Sequence, residues 1–332
     1  MDKKASAVLF AFLAALLYAI NIPLSKLLLK STEPVFMAAF LYLGAGLGMT
    51  FHVLRQKNNN EAYLTKTDLP YTIAMIVLDI IAPICLMTGL KSANAANASL
   101  LSNFEIAATA VIALLLFKEL ITRKMWLAIL LITLSSILLS FEGAESLRFS
   151  RGSVYIIIAC ICWGFENNCT KMLSSKSAAQ IVMLKGIFSG TGSFVVACVI
   201  RETMPALSSI ACAMILGFVS YGLSIFFYVR AQNQLGAAKT SAFYAVAPFI
   251  GAIFSFVLLR EKLSGTYIPA FLIMAAGTLL VVSDTFLIKH THMHTHTIVH
   301  THDGSTHEHT IVHEHSHIHL LSKEKQHTHT HV

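Results

Sequence analysis

The sequence predicts an all-α integral membrane protein: ten transmembrane helices arranged as two inverted five-helix repeats, with a mostly disordered histidine-rich tail behind them. Three observations carry this. Of 332 residues, 55% are hydrophobic and 12% charged, against about 25% charged in an ordinary soluble domain. Apolar runs of roughly 20 residues, enough to cross a hydrocarbon core of about 30 Å, recur along the chain. The chain also repeats itself at matched places in its two halves, a signature of architecture.

The runs fall at 6–29, 35–54, 70–90, 95–117 and 125–141, then at 153–172, 179–200, 206–229, 237–259 and 266–287. The first opens "MDKKASAVLF", basic then apolar like a secretory signal. It continues past the usual signal length with no clear small-residue cleavage site, so it reads as an uncleaved span. Lys and Arg near span ends set orientation. With the N-terminus inside, the inner ends carry Lys3, Lys4, Arg55, Lys57, Lys66, Lys118, Arg123, Lys124, Lys171, Lys176, Arg230, Lys239 and Lys289. The outer ends carry fewer: Lys26, Lys30, Lys91, Arg148, Arg151, Arg201, Arg260 and Lys262. This bias places both termini, and so the tail, on the cytoplasmic side of a cell membrane.

The net charge of +7 is scattered over short loops rather than gathered on one face, which argues against a nucleic-acid partner. The six cysteines all fall inside apolar runs and form no CxxC pair; they read as small packing residues, not disulfides. No nucleophile elbow, phosphate loop or metallopeptidase helix is present, so the chain does not read as an enzyme.

The repeat is visible residue by residue. "YAINIPLSK" from Tyr18 matches "CWGFENNCTK" from Cys162, setting Tyr18 on Trp163, Asn21 on Glu166, Ser25 on Thr170 and Lys26 on Lys171. "LFKELIT" matches "LLREKLS", pairing Glu119 with Glu261, with "ANAAN" and "LGAAK" at equivalent places before them. The halves are residues 1–145 and 150–288, with the tail at 289–332. Five spans is an odd number, so the second half enters from the opposite side. Inverted repeats of this kind place a substrate site near the midplane between the halves.

These residues carry a family resemblance. An aromatic opening followed by a Lys in the first and sixth spans, with the small-residue approach and terminal Glu of the fourth and ninth, resembles the EamA type of the drug/metabolite transporter superfamily. The resemblance covers nearly all of the first 288 residues. It implies a ten-helix carrier of small organic solutes, with the first four helices of each repeat lining a central cavity. The chain departs from the pattern in places. Tyr18 replaces the usual Trp, Ile106 stands where Pro is common while Pro248 keeps it, the basic residue usual near Phe40 is missing, and Lys185 replaces the more usual Arg.

Charges inside spans are costly and mark functional sites by default. Asp79 is in the third span, Glu105 in the fourth, Glu166 in the sixth and Lys185 in the seventh. Glu166 and Lys185 each lie about seven residues from the turn that joins their spans, hence at similar depth at 1.5 Å per residue, and predict an ion pair. That pair serves either transport or helix register. Glu105 has no evident cation at its depth, which suits proton coupling. Pro83 loosens the helix one turn after Asp79. Asn167 and Asn168, beside Trp163 and Glu166, make a patch able to hold a zwitterion, an amide or a cation; Asn103 offers a similar one in the first half, and Asn21 is the repeat equivalent of Glu166. Cys162, Glu166 and Cys169 share a helix face that could hold a soft metal, although packing is the better reading. Pro23 and Pro248 predict kinks, and "GAGLG" at Gly44 and "SGTGS" at Ser189 predict close helix packing.

The tail holds fifteen of the sixteen histidines. They alternate with other residues and "HTIVH" recurs at His296 and His309 in a way a contiguous tag would not, so the tail reads as native. Alone it lacks core-forming residues and should be disordered. Folded at "DGST" (303–306), it would pair His302 with His307, His300 with His309, His296 with His313, His294 with His315, His292 with His317 and His290 with His319. Neutral imidazoles suit Zn, Ni, Co or Cu, so divalent metal is the ligand expected of the tail, while no cofactor is required for the spans.

Two functions compete. One is a secondary carrier of a small organic solute, proton-coupled or an exchanger, as a monomer or homodimer, with a metal-responsive tail. The other is a carrier of divalent transition metal fed by that tail, which the scarcity of histidines in the spans disfavours. A membrane-anchored metal store that transports nothing leaves the polar spans unexplained.

Overall fold

The computed structural model describes residues 3–55, 62–118, 121–143, 146–173, 176–235, 244–260, 265–285, 287–302 and 305–320. Its helices follow the apolar runs. The first span is α1 (Lys3–Ala19) and α2 (Asn21–Leu28); the second and third are α3 (Pro34–Arg55) and α4 (Leu69–Ser92); the fourth is α5 (Ala95–Leu101) and α6 (Phe104–Phe117); the fifth is α7 (Arg123–Ser140). The sixth is α8 (Arg151–Leu173). The seventh joins α9 (Ala178–Leu184) to α10 (Gly190–Val199) through a π-helical turn at Lys185–Ser189, and the eighth joins α11 (Leu207–Gly217) to α12 (Ser224–Leu235) through another at Phe218–Leu223. The described parts of the last two are α13 (Ala247–Leu259) and α14 (Tyr267–Thr285). Among the described residues eight of these spans are long and apolar enough to cross a membrane, and α13 is shorter. The remaining one, α8, has 23 residues and carries the polar patch. This is an all-α, multi-pass membrane protein. The short strands β1 (Phe141–Gly143) and β2 (Ser146–Phe149), between the fifth and sixth spans, were not foreseen.

The interruptions have local causes. Pro23 has no N–H to offer the Ala19 carbonyl and crowds it, so the first span breaks at Ile20. In the fourth, Ser102 turns its hydroxyl back on the Ala98 carbonyl at 3.1 Å, a contact that bends helices, and the break falls at Ser102 and Asn103. In the ninth span a turn at Ala245 and Val246 separates helical Tyr244 from α13, as expected of Pro248, which cannot donate to the Tyr244 carbonyl. Pro248 stands in the first turn of α13, where its missing N–H costs nothing.

Packing follows the internal repeat. The first span packs on the eighth and the third on the sixth, two contacts that trade places when the halves are exchanged. The second packs on the seventh, and the fourth on the ninth, contacts that map onto themselves. Gly44 and Gly46 of "GAGLG", with Gly217, let the second span approach the seventh and eighth: a Cβ on Gly44 would strike the Met214 backbone, one on Gly46 the backbone of Gly186 and Ile187, and one on Gly217 that of Leu41. Nothing flexible is available to yield. Gly217→Val should therefore cost at least the roughly 1–3 kcal/mol of overpacking, read as a lowered melting temperature in detergent. Gly265→Ala, with open space around it, should leave melting unchanged.

The second and seventh spans are also tied at both ends. Glu202, after α10, accepts hydrogen bonds from the backbone N–H groups of Val35 (3.1 Å) and Phe36 (2.9 Å) at the start of α3. At the opposite end, the segment after α3 holds the start of α9. Ser177 N–H donates to the Ala62 carbonyl at 2.9 Å, Leu64 N–H donates to Gln180 Oε1 at 2.9 Å, and Lys176 pairs with Asp68 at 3.2 Å. Each tie is the other's counterpart under exchange of the halves.

Residues 283–332 form a separate unit. In it β3 (Leu287–His302) pairs antiparallel with β4 (Ser305–Leu320). The register differs from the expected one by two residues. His300 stands opposite His307, His294 opposite His313, His292 opposite His315 and His290 opposite His317, while His302 meets Ser305, His296 meets Ile311, His309 meets Ile298 and His319 meets Ile288. The last described pair, His302 with Ser305, leaves two intervening residues instead of the four expected.

Candidate functional site

The third, sixth and seventh spans bring three charges together. Lys185 opens the π-helical turn, a distortion frequent at functional sites, and its Nζ lies 2.9 Å from Glu166 Oε1 and 3.0 Å from Asp79 Oδ2. All three are buried, with 0% of Asp79, 3% of Glu166 and 7% of Lys185 exposed. The Glu166–Lys185 pair is as expected; Asp79 joins it, which spacing alone did not reveal. Tyr42 donates to Asp79 Oδ1 at 2.9 Å, and Thr170 donates to Glu166 Oε1. Pro83 lies inside α4 and deprives the carbonyl of Asp79 itself of its helical donor.

The first half holds a neutral counterpart. Asn21 donates to the Tyr221 hydroxyl at 2.9 Å, and Ser25 donates to Asn21 Oδ1 at 3.1 Å, as Thr170 does to Glu166. The alignment that sets Asn21 on Glu166 sets Phe40 on Lys185, and the offset of 142 residues that carries Ala93 to Leu235 carries Asp79 to Tyr221. Asn21, Phe40 and Tyr221 are thus the uncharged equivalents of Glu166, Lys185 and Asp79. Tyr221 sits in the second π-helical turn.

Glu105 begins the second piece of the fourth span. Its Oε1 accepts from Asn167 Nδ2 at 2.7 Å, and Asn167 also reaches Thr109 Oγ1 at 3.4 Å. Among the described residues no basic side chain pairs with Glu105. Five tyrosines stand in series nearby: Tyr42 to Tyr221 at 5.1 Å between ring centroids, Tyr221 to Tyr18 at 6.0 Å, Tyr18 to Tyr244 at 5.4 Å and Tyr244 to Tyr228 at 5.0 Å. Their signal in the sequence was tyrosine inside apolar spans, where a hydroxyl needs a partner.

The other expected residues have different surroundings. Asn168 donates to the backbone carbonyls of Gly164 (2.8 Å) and Thr109 (3.1 Å) and so fastens α8 to α6. Trp163 is packed in the core. Asn103 is buried with neither amide atom hydrogen bonded. The six cysteines are free thiols, and the face shared by Cys162, Glu166 and Cys169 is taken up by Lys185 and Thr170 on Glu166. Among the residues whose side chains are described, no three His, Cys, Asp or Glu come together as a metal site. Lys26 donates to the Leu90 and Ala93 carbonyls, both at 2.7 Å, where a cation complements the end of α4. Glu119 and Glu261 lie outside the described residues.

The described residues set ten spans around buried charge and tyrosine, the architecture of a multi-pass membrane protein. The model of the EamA-like transporter family matches residues 5–141 and again 150–283, so the chain belongs to that family, with two EamA domains. It is 29% identical over 272 residues to an uncharacterized transporter of Methanothermobacter thermautotrophicus, covering 76% of this chain and 78% of that protein. It is 22% identical over 268 residues to the uncharacterized transporter YyaM of Bacillus subtilis, covering 78% and 85%. A solved crystal structure shares the fold with a TM-score of 0.62 at 15% identity, over 85% of this chain and 98% of that one.

Proposed function

We propose that the protein is a secondary carrier of a small organic solute, with its two halves inverted about the midplane and Glu105 as the group that takes up and releases a proton. The observation that carries this reading is the setting of Glu105. A carboxylate in a span is expensive, and this one is answered by a neutral amide. Such a group can exchange a proton or a solute cation without first breaking an ion pair. The Asp79–Lys185–Glu166 triad, internally balanced but for one negative charge, then forms a fixed polar wall, and the trading of contacts between halves supports alternation of access.

The tail binds divalent Zn, Ni, Co or Cu on the cytoplasmic side and serves as regulator or buffer. Lys185 occupies the space between Asp79 and Glu166 where a divalent ion would stand, which favours the organic solute over a transition metal as cargo. A thermal-shift screen of the purified protein against amino acids, nucleosides, amines and divalent metals, with and without residues 289–332, tests both parts. Stabilisation by an organic solute that survives removal of the tail is expected. Stabilisation by metals alone, lost with the tail, would leave a metal store.

A further inference from the structure

The register of the tail singles out six of the twelve histidines in its two strands. Three consecutive same-face rungs are His opposite His: His290 with His317, His292 with His315, and His294 with His313. On either side the series is broken. Ile288 stands opposite His319, Ile311 opposite His296 and Ile298 opposite His309, so that the remaining matched pair, His300 with His307, is set apart. The alternate rungs carry no histidine: Thr291 meets Ser316, Met293 meets Glu314, Thr295 meets Val312 and Thr297 meets Thr310.

Strand geometry gives these rungs their meaning. Opposed Cα atoms lie roughly 4.5–5.5 Å apart, and residues two apart along a strand, which share a face, lie roughly 6.7 Å apart. A residue, its neighbour two along and the residue across from one of them are therefore three positions close enough for their imidazoles to converge on one ion. Six consecutive positions contain two such triples. Tetrahedral zinc takes three histidines and a water, and nickel, cobalt and copper take imidazole as readily. An isolated two-stranded hairpin is marginal in water, so ions bound across its strands would also hold the strands together.

We propose that the tail is not a uniform chelator: His290, His292, His294, His313, His315 and His317 form a block that binds two divalent transition-metal ions tightly, and the other six histidines of the strands add weak sites. This rests on the reading of the tail as metal-binding. It goes further by fixing which residues bind and in what number, and it depends on the observed register. In the register that closes on four residues, His296, His302, His309 and His319 would be paired as well.

The test compares two variants that each remove six histidines from the full-length protein in detergent. One replaces the block with asparagine; the other replaces His296, His300, His302, His307, His309 and His319. The three histidines at 327–331 stay in both. Zinc and nickel are titrated in competition with a fluorescent chelator. The second variant should keep two tight ions with nearly unchanged affinity. The block variant should lose both, with apparent affinity roughly a hundredfold weaker. Equal losses in the two variants would overturn the block. A third variant, with all fifteen tail histidines replaced, separates this failure from failure of the parent reading: if it binds as the unaltered protein does, the tail is not the metal site at all. Tight binding should also weaken as pH falls through about 6.5, where protons compete for imidazole, and a block whose zinc affinity is flat from pH 8 to pH 5 would be equally disproved.

Discussion

Glu105→Gln should abolish solute accumulation driven by a pH gradient while leaving the protein folded and able to exchange solute for solute. Glutamine keeps the length and the oxygen that accepts from Asn167 at 2.7 Å, so the contact between α6 and α8 survives. What disappears is the ionisable proton. The measurement uses proteoliposomes and the solute identified by thermal shift: gradient-driven uptake should fall to the background of empty vesicles, and counterflow should persist with its pH dependence flattened. Uptake with an unaltered pH profile would remove Glu105 from the coupling step.

The second large effect belongs to Lys185. Lys185→Met strands two buried carboxylates at once, and removing one partner of a buried pair costs about 3–5 kcal/mol, so the melting temperature in detergent should drop sharply. From spacing alone, the double change Glu166→Gln with Lys185→Met would be expected to restore stability. With Asp79 Oδ2 3.0 Å from the same Nζ, it should not. Recovery should need the triple change that adds Asp79→Asn, where every charge is gone and the Tyr42 hydrogen bond still finds an oxygen. Full recovery in the double would show that Asp79 does not share the lysine.

Much of this was legible in the residues. Hydrophobic runs placed the helices because a bilayer fixes their length, and equal depth placed Glu166 against Lys185 because both lie the same distance from one turn. Asp79 stood out as a charge in a span, but its contact with Lys185 did not, because that contact crosses from the third span and depth along a helix does not tell which face a residue presents. The tyrosines escaped for a different reason: in an apolar run a ring reads as packing, and only the fold shows Tyr42 and Tyr221 answering Asp79 and Asn21. The neutral trio of Asn21, Phe40 and Tyr221 was hidden by its chemistry, since attention follows charge and this copy has none. The hairpin register differs by two residues because alternation of histidines fixes which face they share and not where the strands turn.

The ties at the two ends of the second and seventh spans bear on how such a molecule moves. Glu202 fastens the start of α3 to the chain leaving α10, and Ala62, Leu64 and Asp68 fasten the start of α9 to the chain leaving α3. Two rods lashed top and bottom behave as one mast. A passage that opened by prising them apart would have to undo a lashing on every cycle, so under the proposed alternation of access the mouths on the two faces would open beside the mast, by the remaining spans leaning against it in turn. Stapling the mast with a disulfide at either lashing would then leave transport running, whereas a staple between a leaning span and the mast would arrest it.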